Sequence, residues 1–328
     1  MTKRLNIALL AGGNSSEREI ALQSAAQIYE ALDKEKYDVT LIDLKGRSWS
    51  HTTPEGEQIE VDKNDFSITL GGVKKCFDYA LILIHGTPGE DGKLQGYLEM
   101  MEIPCSSCSM TSSVITFDKM TTKSTLRGRV NMAREIFLKR GEKFDTAKIV
   151  AELGLPLFVK PNASGSSFGV TRVTTEEQLP EAIALALTES NEILIEECIT
   201  GREMGCGILI TKEQEYILPI TEIIAKNAFF DYEAKYTAGF SEEITPADIT
   251  PEVKAELNRM TREAYIACRC SGVVRVDFIV TAEGKPYLIE VNSIPGMSGG
   301  SIVPKQAREA GITLGELYDL IIKDTYKQ

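Results

Sequence analysis

Four polar residues in the C-terminal part of the chain interrupt two apolar runs at a spacing that suits metal chemistry. The stretch "VVRVDFIVTAEGKPYLIEVNSIPGM" places Arg275 and Asp277 in its first run and Glu290 and Asn292 in its second run. Because side chains alternate along a strand, each pair is predicted to share one face, opposite its apolar neighbours. "TAEGKP" predicts a turn, and a two-residue loop at positions 283–284 would pair Asp277 with Glu290. The same register would pair Arg275 with Asn292.

The expected hairpin gathers two carboxylates, one amide and one guanidinium, and this set has two interpretations. Facing carboxylates repel each other unless a cation lies between them, and hard oxygen ligands suit Mg²⁺ rather than zinc. An ordinary hairpin with a solvated outer face and a salt bridge from Arg275 to Asp277 explains the same residues. The hairpin alone therefore does not decide between a metal site and a plain surface.

A lysine at the end of an apolar strand marks a second candidate site. Lys160 closes the run "LFVK" and is followed directly by the loop "PNASGSSFGV". An amine at the end of a buried strand needs an anionic partner or a cleft edge. The glycines and serines of the loop supply N–H and O–H donors that can cradle phosphate. We interpret this stretch as a phosphate-binding loop, with a surface hairpin as the alternative.

Acidic residues follow another apolar strand. "ILIEECITGRE" places Glu196, Glu197 and Glu203 around the strand end. A strand whose backbone is free at a sheet edge would suit an adenine, and a carboxylate would suit a ribose diol. Solvated surface acids explain the same pattern equally well.

Two further stretches carry polar residues in loops. His85 begins "HGTPGEDGKLQG", whose glycines allow the backbone to approach a ligand, although a glycine-rich helix start is the alternative. "DYEAKY" offers Lys235 and Tyr236 in a segment rich in charges and aromatic rings, which fits a lid or a packed surface loop.

The elements that would position these residues follow an α/β pattern. "LNIALL", "YDVTLIDL" and "YALILIHG" are continuous apolar runs typical of buried parallel strands, and "IALQSAAQIYEALDK" between the first two predicts a helix. We expect an α/β unit over residues 1–117, a second unit over 118–200 and a third over 201–328. Neither a G-x-G-x-x-G fingerprint nor a G-K-[ST] sequence is present, so no dinucleotide-type Rossmann site or Walker P-loop is predicted.

Length and charge restrict the function classes. The 328 residues suffice for two or three domains with a sizeable core. A net charge of −12, from 36 Lys+Arg against 48 Asp+Glu, argues against nucleic acid as a partner. No apolar run approaches the ~20 residues of a membrane helix and no signal peptide is recognisable, so we expect a cytoplasmic protein without a membrane partner.

Seven cysteines are scattered along the chain, and two spacings suit metal or redox chemistry. These are "CSSC", with Cys105 and Cys108, and "CRC", with Cys268 and Cys270. With two histidines in the chain and no second C-x-x-C, a zinc site is poorly supported. Reduced thiols used as small apolar residues fit better.

Together these stretches resemble the D-alanine–D-alanine ligase family of the ATP-grasp superfamily. The resemblance covers essentially the full length and preserves the order of "AGGNSSEREIAL", "HGTPGEDGKLQG", "KPNASGSSFGV", "IEECITGRE", "DYEAKY", "EEITPA", "RVDF" and "EVNSIPGMSGGSIVP". It implies an α/β (α+β) protein with three domains and ATP between two of them. The N-terminal one would be an open parallel-sheet domain, the pre-ATP-grasp domain, followed by two ATP-grasp domains. It also implies a homodimer formed through the first domain.

The resemblance assigns ligands to the nucleotide and its metal. Asp277, Glu290 and Asn292 would hold Mg²⁺, with Mn²⁺ as a substitute. Lysines would contact the phosphates, Glu196 with its neighbours would frame the adenine, and Glu203 would bind the ribose. The full set of nucleotide residues is Lys119, Lys160, Ser166, Ser167, Glu196, Glu197, Ile199, Glu203 and Lys235.

The implied reaction joins two D-alanine molecules for peptidoglycan precursor synthesis. The carboxylate of the first attacks the γ-phosphate of ATP, and the amine of the second attacks the resulting acylphosphate through a tetrahedral intermediate. Arg275 and the Gly296 N–H would stabilise the oxyanion. Ser301 and the Ile302 N–H would bind the carboxylate of the second D-alanine.

The remaining implied residues bind the first substrate and close the lid. Glu17, close to His85, would bind the ammonium group of the first D-alanine. Ser166 and Tyr236 would bond to each other and, with Glu17, hold the lid shut. A closed lid would exclude water from the acylphosphate.

The chain departs from the usual family pattern at several positions. "PCS" at 104–106 replaces Pro-Tyr-Thr, Ser164 replaces an acidic residue, and Gly299 and Gly300 stand where polar or larger residues are common. Tyr236 occupies a position where depsipeptide-forming relatives carry Phe, which favours an amine as the second substrate. The alternatives are a ligase that accepts a hydroxy acid such as D-lactate, and a nucleotide-binding regulatory protein without turnover.

Overall fold

The computed structural model describes residues 4–15, 17–165, 168–225 and 241–326. The N-terminal strands are β1 (Leu5–Gly12), β2 (Tyr37–Lys45), β3 (Ser48–Thr52), β4 (Gln58–Glu60), β5 (Ser67–Leu70), β6 (Val73–Cys76) and β7 (Tyr79–Ile82). Five of them form a sheet in the order β4-β3-β2-β1-β7, and β5 and β6 pair separately. We call this five-stranded sheet the first sheet.

The first sheet is mixed rather than fully parallel. β1 pairs in parallel with β2 and with β7, so the three strands predicted from apolar runs are confirmed. β3 and β4 extend the sheet in antiparallel fashion, which corrects the expectation of an open parallel sheet. These short strands contain too many polar residues to form an apolar run, so the sequence did not reveal them.

The middle of the chain forms a four-stranded antiparallel sheet, called here the second sheet. Its strands are β8 (Glu135–Lys139), β9 (Leu157–Pro161), β10 (Thr171–Val173) and β11 (Glu192–Glu197). Their order is β10-β9-β11-β8. The strands predicted at "LFVK", "VTRV" and "EILIEE" are confirmed, and β8 was not foreseen.

The C-terminal part forms a six-stranded antiparallel sheet, called here the third sheet. Its strands are β12 (Arg202–Ile210), β13 (Glu215–Ile217), β14 (Thr221–Ala225), β15 (Ser241–Ile244), β16 (Val273–Val280) and β17 (Pro286–Asn292). The main path runs β15-β14-β12-β16-β17, and β13 pairs with β12. The strand β12 therefore lies centrally and has the hairpin of β16 and β17 beside it.

Helices cover the sheets. In the described part of the chain they are α1 (Arg18–Ala31), α2 (Lys93–Met100), α3 (Met110–Phe117), α4 (Lys119–Leu126), α5 (Thr146–Leu153), α6 (Leu179–Glu189), α7 (Pro251–Ala267), α8 (Ile302–Glu309) and α9 (Leu314–Thr325). None of these helices has the length and apolar character required to span a membrane.

Each sheet has its own buried apolar surface. α5 and α6 cover the second sheet, and residues of α4 and α7, such as Leu126 and Leu257, pack into the core of the third sheet. The first sheet is buried on both faces, and one of these faces includes Leu317 of α9. Leu209 and Val273 of the third sheet belong to that same core, so the first and third sheets are joined by apolar packing.

Candidate functional site

A cavity of about 650 Å³ lies between the second and third sheets. This volume is in the range of small-ligand pockets. Its apolar lining includes Phe158, Ile223, Ile279 and Leu288, and the charged residues at its wall include Lys119, Lys160, Glu196, Glu197, Glu203, Asp277 and Glu290. The cavity thus combines apolar walls with cations and carboxylates.

The hairpin of β16 and β17 pairs the four polar residues as predicted. Asp277 lies opposite Glu290, and Arg275 lies opposite Asn292. Asp277 is buried at 4% exposure. The two apolar runs therefore carry their polar groups on one face of the hairpin, next to the cavity.

The predicted two-residue loop of this hairpin is wrong. The Thr281 N–H donates to the Lys285 carbonyl at 3.1 Å, and the Gly284 N–H donates to the Thr281 carbonyl at 2.9 Å, so the loop spans 282–284. Gly284 has a φ of +78°, which suits glycine at the end of such a loop. A β-bulge makes Ile289 an extra residue in β17 and restores the register that the shorter loop would have given.

Asp277 is the centre of the polar cluster. Arg275 donates from Nε to Oδ1 at 2.8 Å and from Nη2 to Oδ2 at 2.7 Å, and Asn292 Nδ2 donates to Oδ2 at 2.9 Å. Burial lowers the pKa of Arg275, but the carboxylates of Asp277 and Glu290 outweigh burial and raise it, so the guanidinium stays charged. The sequence alternative of an Arg275–Asp277 ion pair is thus realised in a buried setting.

The donor set fits a hard divalent cation that takes its other ligands from a substrate. Two carboxylates and an amide oxygen come from Asp277, Glu290 and Asn292, since the amide nitrogen of Asn292 already donates to Asp277. Within the described ranges, no cluster of three or more His, Cys, Asp or Glu could hold a metal ion by itself. Mg²⁺ commonly binds one or two carboxylates together with substrate phosphates and water, which agrees with this incomplete set.

Glu196 joins two lysines at the inner end of the cavity. Its carboxylate forms ion pairs with Lys160 and, at 2.6 Å, with Lys123. Lys123 also donates to the Ala133 carbonyl at 2.7 Å and lies 3.3 Å from Glu135. Burial raises the pKa of Glu196, but the ammonium groups of Lys160 and Lys123 outweigh burial and lower it to about 2.

The sequence reasoning missed Lys123. This side chain is 7% exposed, and it lies four residues after Lys119 on α4. Lys119 and Lys123 lie one turn apart on α4, and this spacing was the sequence signal that could have revealed Lys123.

Lys119 is placed by contacts between α4 and the loop after β9. Its ammonium group donates to the Ser164 carbonyl at 3.1 Å. Asn162, which is 1% exposed, donates to Asp118 at 2.6 Å and accepts from the Met120 N–H at 2.8 Å. Asn162 thereby ties the start of α4, and hence Lys119, to the predicted phosphate loop.

The expectation of a free strand edge at Glu196 and Glu197 is wrong. β11 lies between β9 and β8, and the Glu197 N–H donates to the Arg134 carbonyl at 3.1 Å. The Glu197 carboxylate also accepts from Arg134 Nε at 2.8 Å, and the Cys198 N–H donates to the Pro156 carbonyl at 3.2 Å. The backbone leaves the sheet only beyond these residues, where Ile199 lines the cavity.

Glu203 is the second residue of β12 and lines the same cavity. It pairs with Ile223 on one side and with Ile279 on the other. The central strand of the third sheet therefore presents this carboxylate near the apolar part of the cavity.

Glu17 and His85 lie close together near the phosphate loop. His85 is buried, with Nδ1 at 3.1 Å from the Ile294 carbonyl, and its own carbonyl accepts from Ser15 Oγ at 2.9 Å. Burial lowers the pKa of His85, while the Glu17 carboxylate acts to raise it. A Cβ built on Gly165 would be 3.8 Å from Glu17 Oε2, so this carboxylate reaches the loop.

The absence of a side chain at Gly205 leaves a space bordered by three candidate residues. A Cβ there would be 3.5 Å from Arg275 Cδ, 3.5 Å from Asp277 Oδ1 and 3.6 Å from Ile302 Cγ2. The start of α8 is therefore close to the polar face of β16.

Gly296 and Ser301 are neighbours just before α8. A Cβ on Gly296 would be 2.9 Å from Ser301 Oγ, which shares a 2.7 Å hydrogen bond with Ser298 Oγ. Ser301 is the N-cap of α8, but its side chain accepts no hydrogen bond from the first turn. The N-terminus of α8 is thus suited to an anion from outside the helix.

Glu90 was not singled out from the sequence, yet it faces this group of residues. Its Oε2 accepts from the Gly86 N–H at 2.6 Å. Burial raises the pKa of Glu90 to about 8, the carboxylates of Glu17 and Glu290 add to the rise, and Arg275 opposes it. The sequence signal that could have identified Glu90 was its position in "GEDG", close after His85.

Four predicted site residues lie outside the described residues. They are Ser166, Ser167, Lys235 and Tyr236. The other candidate residues gather at the cavity or at the adjoining group formed by Glu17, His85, Arg275 and the start of α8.

Comparisons with known proteins match this arrangement over almost the whole chain. A family model described as D-ala D-ala ligase N-terminus matches residues 6–108, and one described as D-ala D-ala ligase C-terminus matches residues 130–323. The D-alanine--D-alanine ligase of Bacteroides fragilis (strain YCH46) is 44% identical over 322 residues, covering 98% of this chain and 99% of the relative. That of Flavobacterium johnsoniae is 43% identical over 314 residues, covering 95% and 97%.

Solved structures show the same fold. The VanG D-Ala:D-Ser ligase from Enterococcus faecalis superposes with a TM-score of 0.88 at 30% identity, covering 99% of this chain and 100% of that chain. The D-alanine--D-alanine ligase from Bacillus anthracis complexed with ATP has a TM-score of 0.79 at 33% identity, covering 99% and 97%. The chain therefore belongs to the D-alanine–D-alanine ligase family.

Proposed function

We propose that the protein is a D-alanine–D-alanine ligase, which uses ATP to join two D-alanine molecules for peptidoglycan precursor synthesis. The observation that carries this proposal is the cavity between the second and third sheets, where lysines and metal-type oxygen donors meet. Family membership over nearly the full length supports it. A related ligase has been solved in complex with ATP, which supports ATP as the nucleotide.

We infer that the nucleotide lies in this cavity. Its apolar walls suit an adenine, and the backbone at Ile199 is our assignment for the adenine edge. Glu203 is assigned to the ribose, and Lys119 and Lys160 to the phosphates. Because Glu196 is ion-paired with two lysines, we assign it to orient those lysines rather than to touch the base.

The metal assignment rests on the chemistry of the donor set. Asp277, Glu290 and Asn292 would hold Mg²⁺, for which Mn²⁺ can substitute, and the ion would neutralise charge on the terminal phosphates of ATP. The chain contributes a fixed geometry, since Asp277 is held by Arg275 and Asn292. Phosphoryl transfer depends mainly on such positioning and charge neutralisation.

The amide-forming half of the reaction is assigned to the group around β16 and α8. Arg275 and the Gly296 N–H would stabilise the oxyanion as the second amine attacks the acylphosphate. Ser301 and the Ile302 N–H at the N-terminus of α8 would bind the carboxylate of the second D-alanine.

The binding site of the first D-alanine is assigned to the region around Glu17. Glu17 would bind its ammonium group, next to His85. Ser166 and Tyr236, together with Lys235 at the terminal phosphates, keep the lid roles that the family resemblance implies. Ser167 keeps its role in the phosphate loop.

We propose three domains, at residues 1–117, 118–200 and 201–328, and a homodimer formed through the first. We also propose a cytoplasmic location, which agrees with the seven free cysteines. Sedimentation of the purified protein at several concentrations tests the dimer.

The activity is tested by measuring phosphate release and dipeptide formation with ATP, Mg²⁺ and D-alanine. D-Serine and D-lactate are offered as second substrates, because the VanG D-Ala:D-Ser ligase is among the similar structures. We expect D-alanyl-D-alanine as the main product. Preferred formation of a D-serine or D-lactate product contradicts the substrate assignment, and nucleotide binding without turnover contradicts the enzyme.

The metal ligands are tested separately with Glu290→Gln. Loss of one carboxylate charge should lower Mg²⁺-dependent turnover by at least 100-fold and raise the Mg²⁺ concentration needed for half-maximal rate. Unchanged turnover would show that Glu290 is not a metal ligand.

A further inference from the structure

The two cysteine spacings of the sequence meet in the folded chain, at a point that the proposed ligation does not use. Cys108 follows the first sheet, and Cys270 follows α7 shortly before β16. Cys108 lies in the buried core of the third sheet, Cys270 packs against the same core, and the two thiols interact with each other. Cys108 is fully buried, whereas Cys270 is partly exposed.

The backbone around both thiols is held in place by contacts between the two segments. Cys108 Sγ accepts from the Ser271 N–H at 3.5 Å and lies 3.5 Å from the Ser271 carbonyl. Ser271 Oγ donates to the Ser107 carbonyl at 3.1 Å, and Ser112 Oγ donates to the Arg269 carbonyl at 2.7 Å. Hydrogen bonds therefore connect segments 107–112 and 269–271 on both sides of the sulfur atoms.

The surroundings of the thiols favour redox chemistry over metal binding. In the ranges that the structure describes, no set of three or more His, Cys, Asp or Glu is placed to hold a metal. Interaction with the Cys270 thiol lowers the pKa of the Cys108 thiol, and interaction with Cys108 together with burial raises the pKa of Cys270. The Cys108 thiol is therefore the more readily ionised of the two, and a second thiol lies beside it.

We propose that Cys108 and Cys270 are a modification site at which a small peroxide closes a reversible disulfide. One thiolate attacks the O–O bond of hydrogen peroxide, which gives a sulfenic acid and, after protonation, one water. The second thiol then attacks the sulfenic sulfur, the S–S bond forms, and the hydroxyl leaves as a second water. Two thiols thus lose two electrons and two protons, and one peroxide becomes two waters.

The disulfide would connect the first and third sheets. Segment 105–108 is attached to β7, since the Ile82 N–H donates to Ser106 Oγ at 2.9 Å and Ala80 forms a bridge with Cys105. Cys270 lies just before β16, the strand that carries Arg275 and Asp277. Oxidation would therefore link the part of the chain that carries His85 to the part that carries Arg275.

Mass spectrometry of the full-length protein tests this site independently of ligase activity. The reduced protein is treated with one equivalent of hydrogen peroxide, the remaining thiols are alkylated under denaturing conditions, and the protein is digested. We expect a mass loss corresponding to two hydrogens and a single linked peptide that joins Cys108 to Cys270. Dithiothreitol should restore two alkylatable thiols.

Matched variants separate this pair from the neighbouring thiols. Cys270→Ser and Cys108→Ala should abolish the linked peptide, with folding checked by circular dichroism. Cys268→Ala and Cys76→Ser should retain it. The proposal is overturned if Cys108 and Cys270 remain alkylatable after oxidation, if the linkage involves Cys105 or Cys268, or if the product is a sulfinic acid on either residue.

Discussion

Lys123 shows how one buried cation can organise a site without being an obvious ligand. Its ammonium group is shared between Glu196 at 2.6 Å and Glu135 at 3.3 Å, and it lies one helical turn from Lys119. Glu196 also binds Lys160, so its charge is balanced by two cations in the interior. The position of Lys160 in the cavity depends on this balance.

Lys123→Met removes the charge and keeps an unbranched side chain of similar length. We expect the free energy of unfolding to fall by about 3 kcal/mol, because the buried Glu196 loses one of its two cationic partners and Glu135 keeps only Arg127. Urea denaturation measures this change. Lys148→Met is the control, since Lys148 is 85% exposed and its removal should change stability by less than about 0.5 kcal/mol. Equal stability of Lys123→Met and the parent protein would contradict the argument.

Glu90 gives the candidate site a pH dependence near neutrality. Its folded pKa of about 8 lies above the model-compound value of 4.5. A carboxyl group with a raised folded pKa stabilises the fold below its unfolded pKa, and this contribution is lost as the pH rises through the folded value. The charged groups that face it are Glu17, Glu290 and Arg275.

Glu90→Gln removes the titration and leaves an oxygen to accept from the Gly86 N–H. Between pH 5 and pH 8.5, the stability of the parent protein should decline relative to this variant by about 2 kcal/mol, after allowance for partial solvent exposure. Chemical denaturation at four pH values, with a chelator and without nucleotide, measures the difference. A difference that stays constant over this interval would show that Glu90 has an ordinary pKa.

At the scale of elements, the sequence predicted the strands better than it predicted their connections. The polar pairs of β16 and β17 followed from side-chain alternation. The three-residue loop and the bulge at Ile289 shift the register in opposite directions, so the alternation of polar and apolar residues could not predict either of them. The continuous apolar run of β11 could not reveal its neighbours, because an edge strand and an interior strand have the same period. Strand order depends on distant segments such as β8, which are not encoded locally.

The packing of α8 against β12 gives a prediction at this scale. Gln306 of α8, which is fully buried, donates to the Gly205 carbonyl at 2.8 Å. A Cβ at Gly207 would clash with Gln306 Oε1 and would lie 2.9 Å from Leu218 Cδ1. Glycine at 207 therefore leaves room for the buried Gln306 side chain, through which α8 contacts β12.

Gly207→Ala should displace α8 and with it the proposed site for the second D-alanine. We expect the KM for the second D-alanine to rise at least fivefold and the KM for ATP to stay within twofold. Initial-rate kinetics with each substrate varied in turn separate the two values. A rise in the KM for ATP alone would contradict the assignment of α8 to the second substrate.

At the scale of the whole molecule, the apolar cores do not follow the order of the chain. Leu209 and Val273 of the third sheet belong to the core of the first sheet, and so does Leu317 of α9. The second sheet has a separate core with α5 and α6. The sequence indicated three units from the succession of its elements, but the sharing of a core between its two ends depends on long-range contacts that the local pattern does not contain.

This distribution of cores predicts which parts of the chain open together. Ile195→Ala and Leu209→Ala each remove a fully buried side chain at a cost of about 2 to 5 kcal/mol, but in different cores. Ile195→Ala should speed amide hydrogen exchange within residues 135–197 and leave the first sheet protected. Leu209→Ala should speed exchange in the first and third sheets together. Exchange followed by mass spectrometry distinguishes these outcomes, and faster exchange throughout the chain in both variants would show that the molecule opens as one cooperative unit.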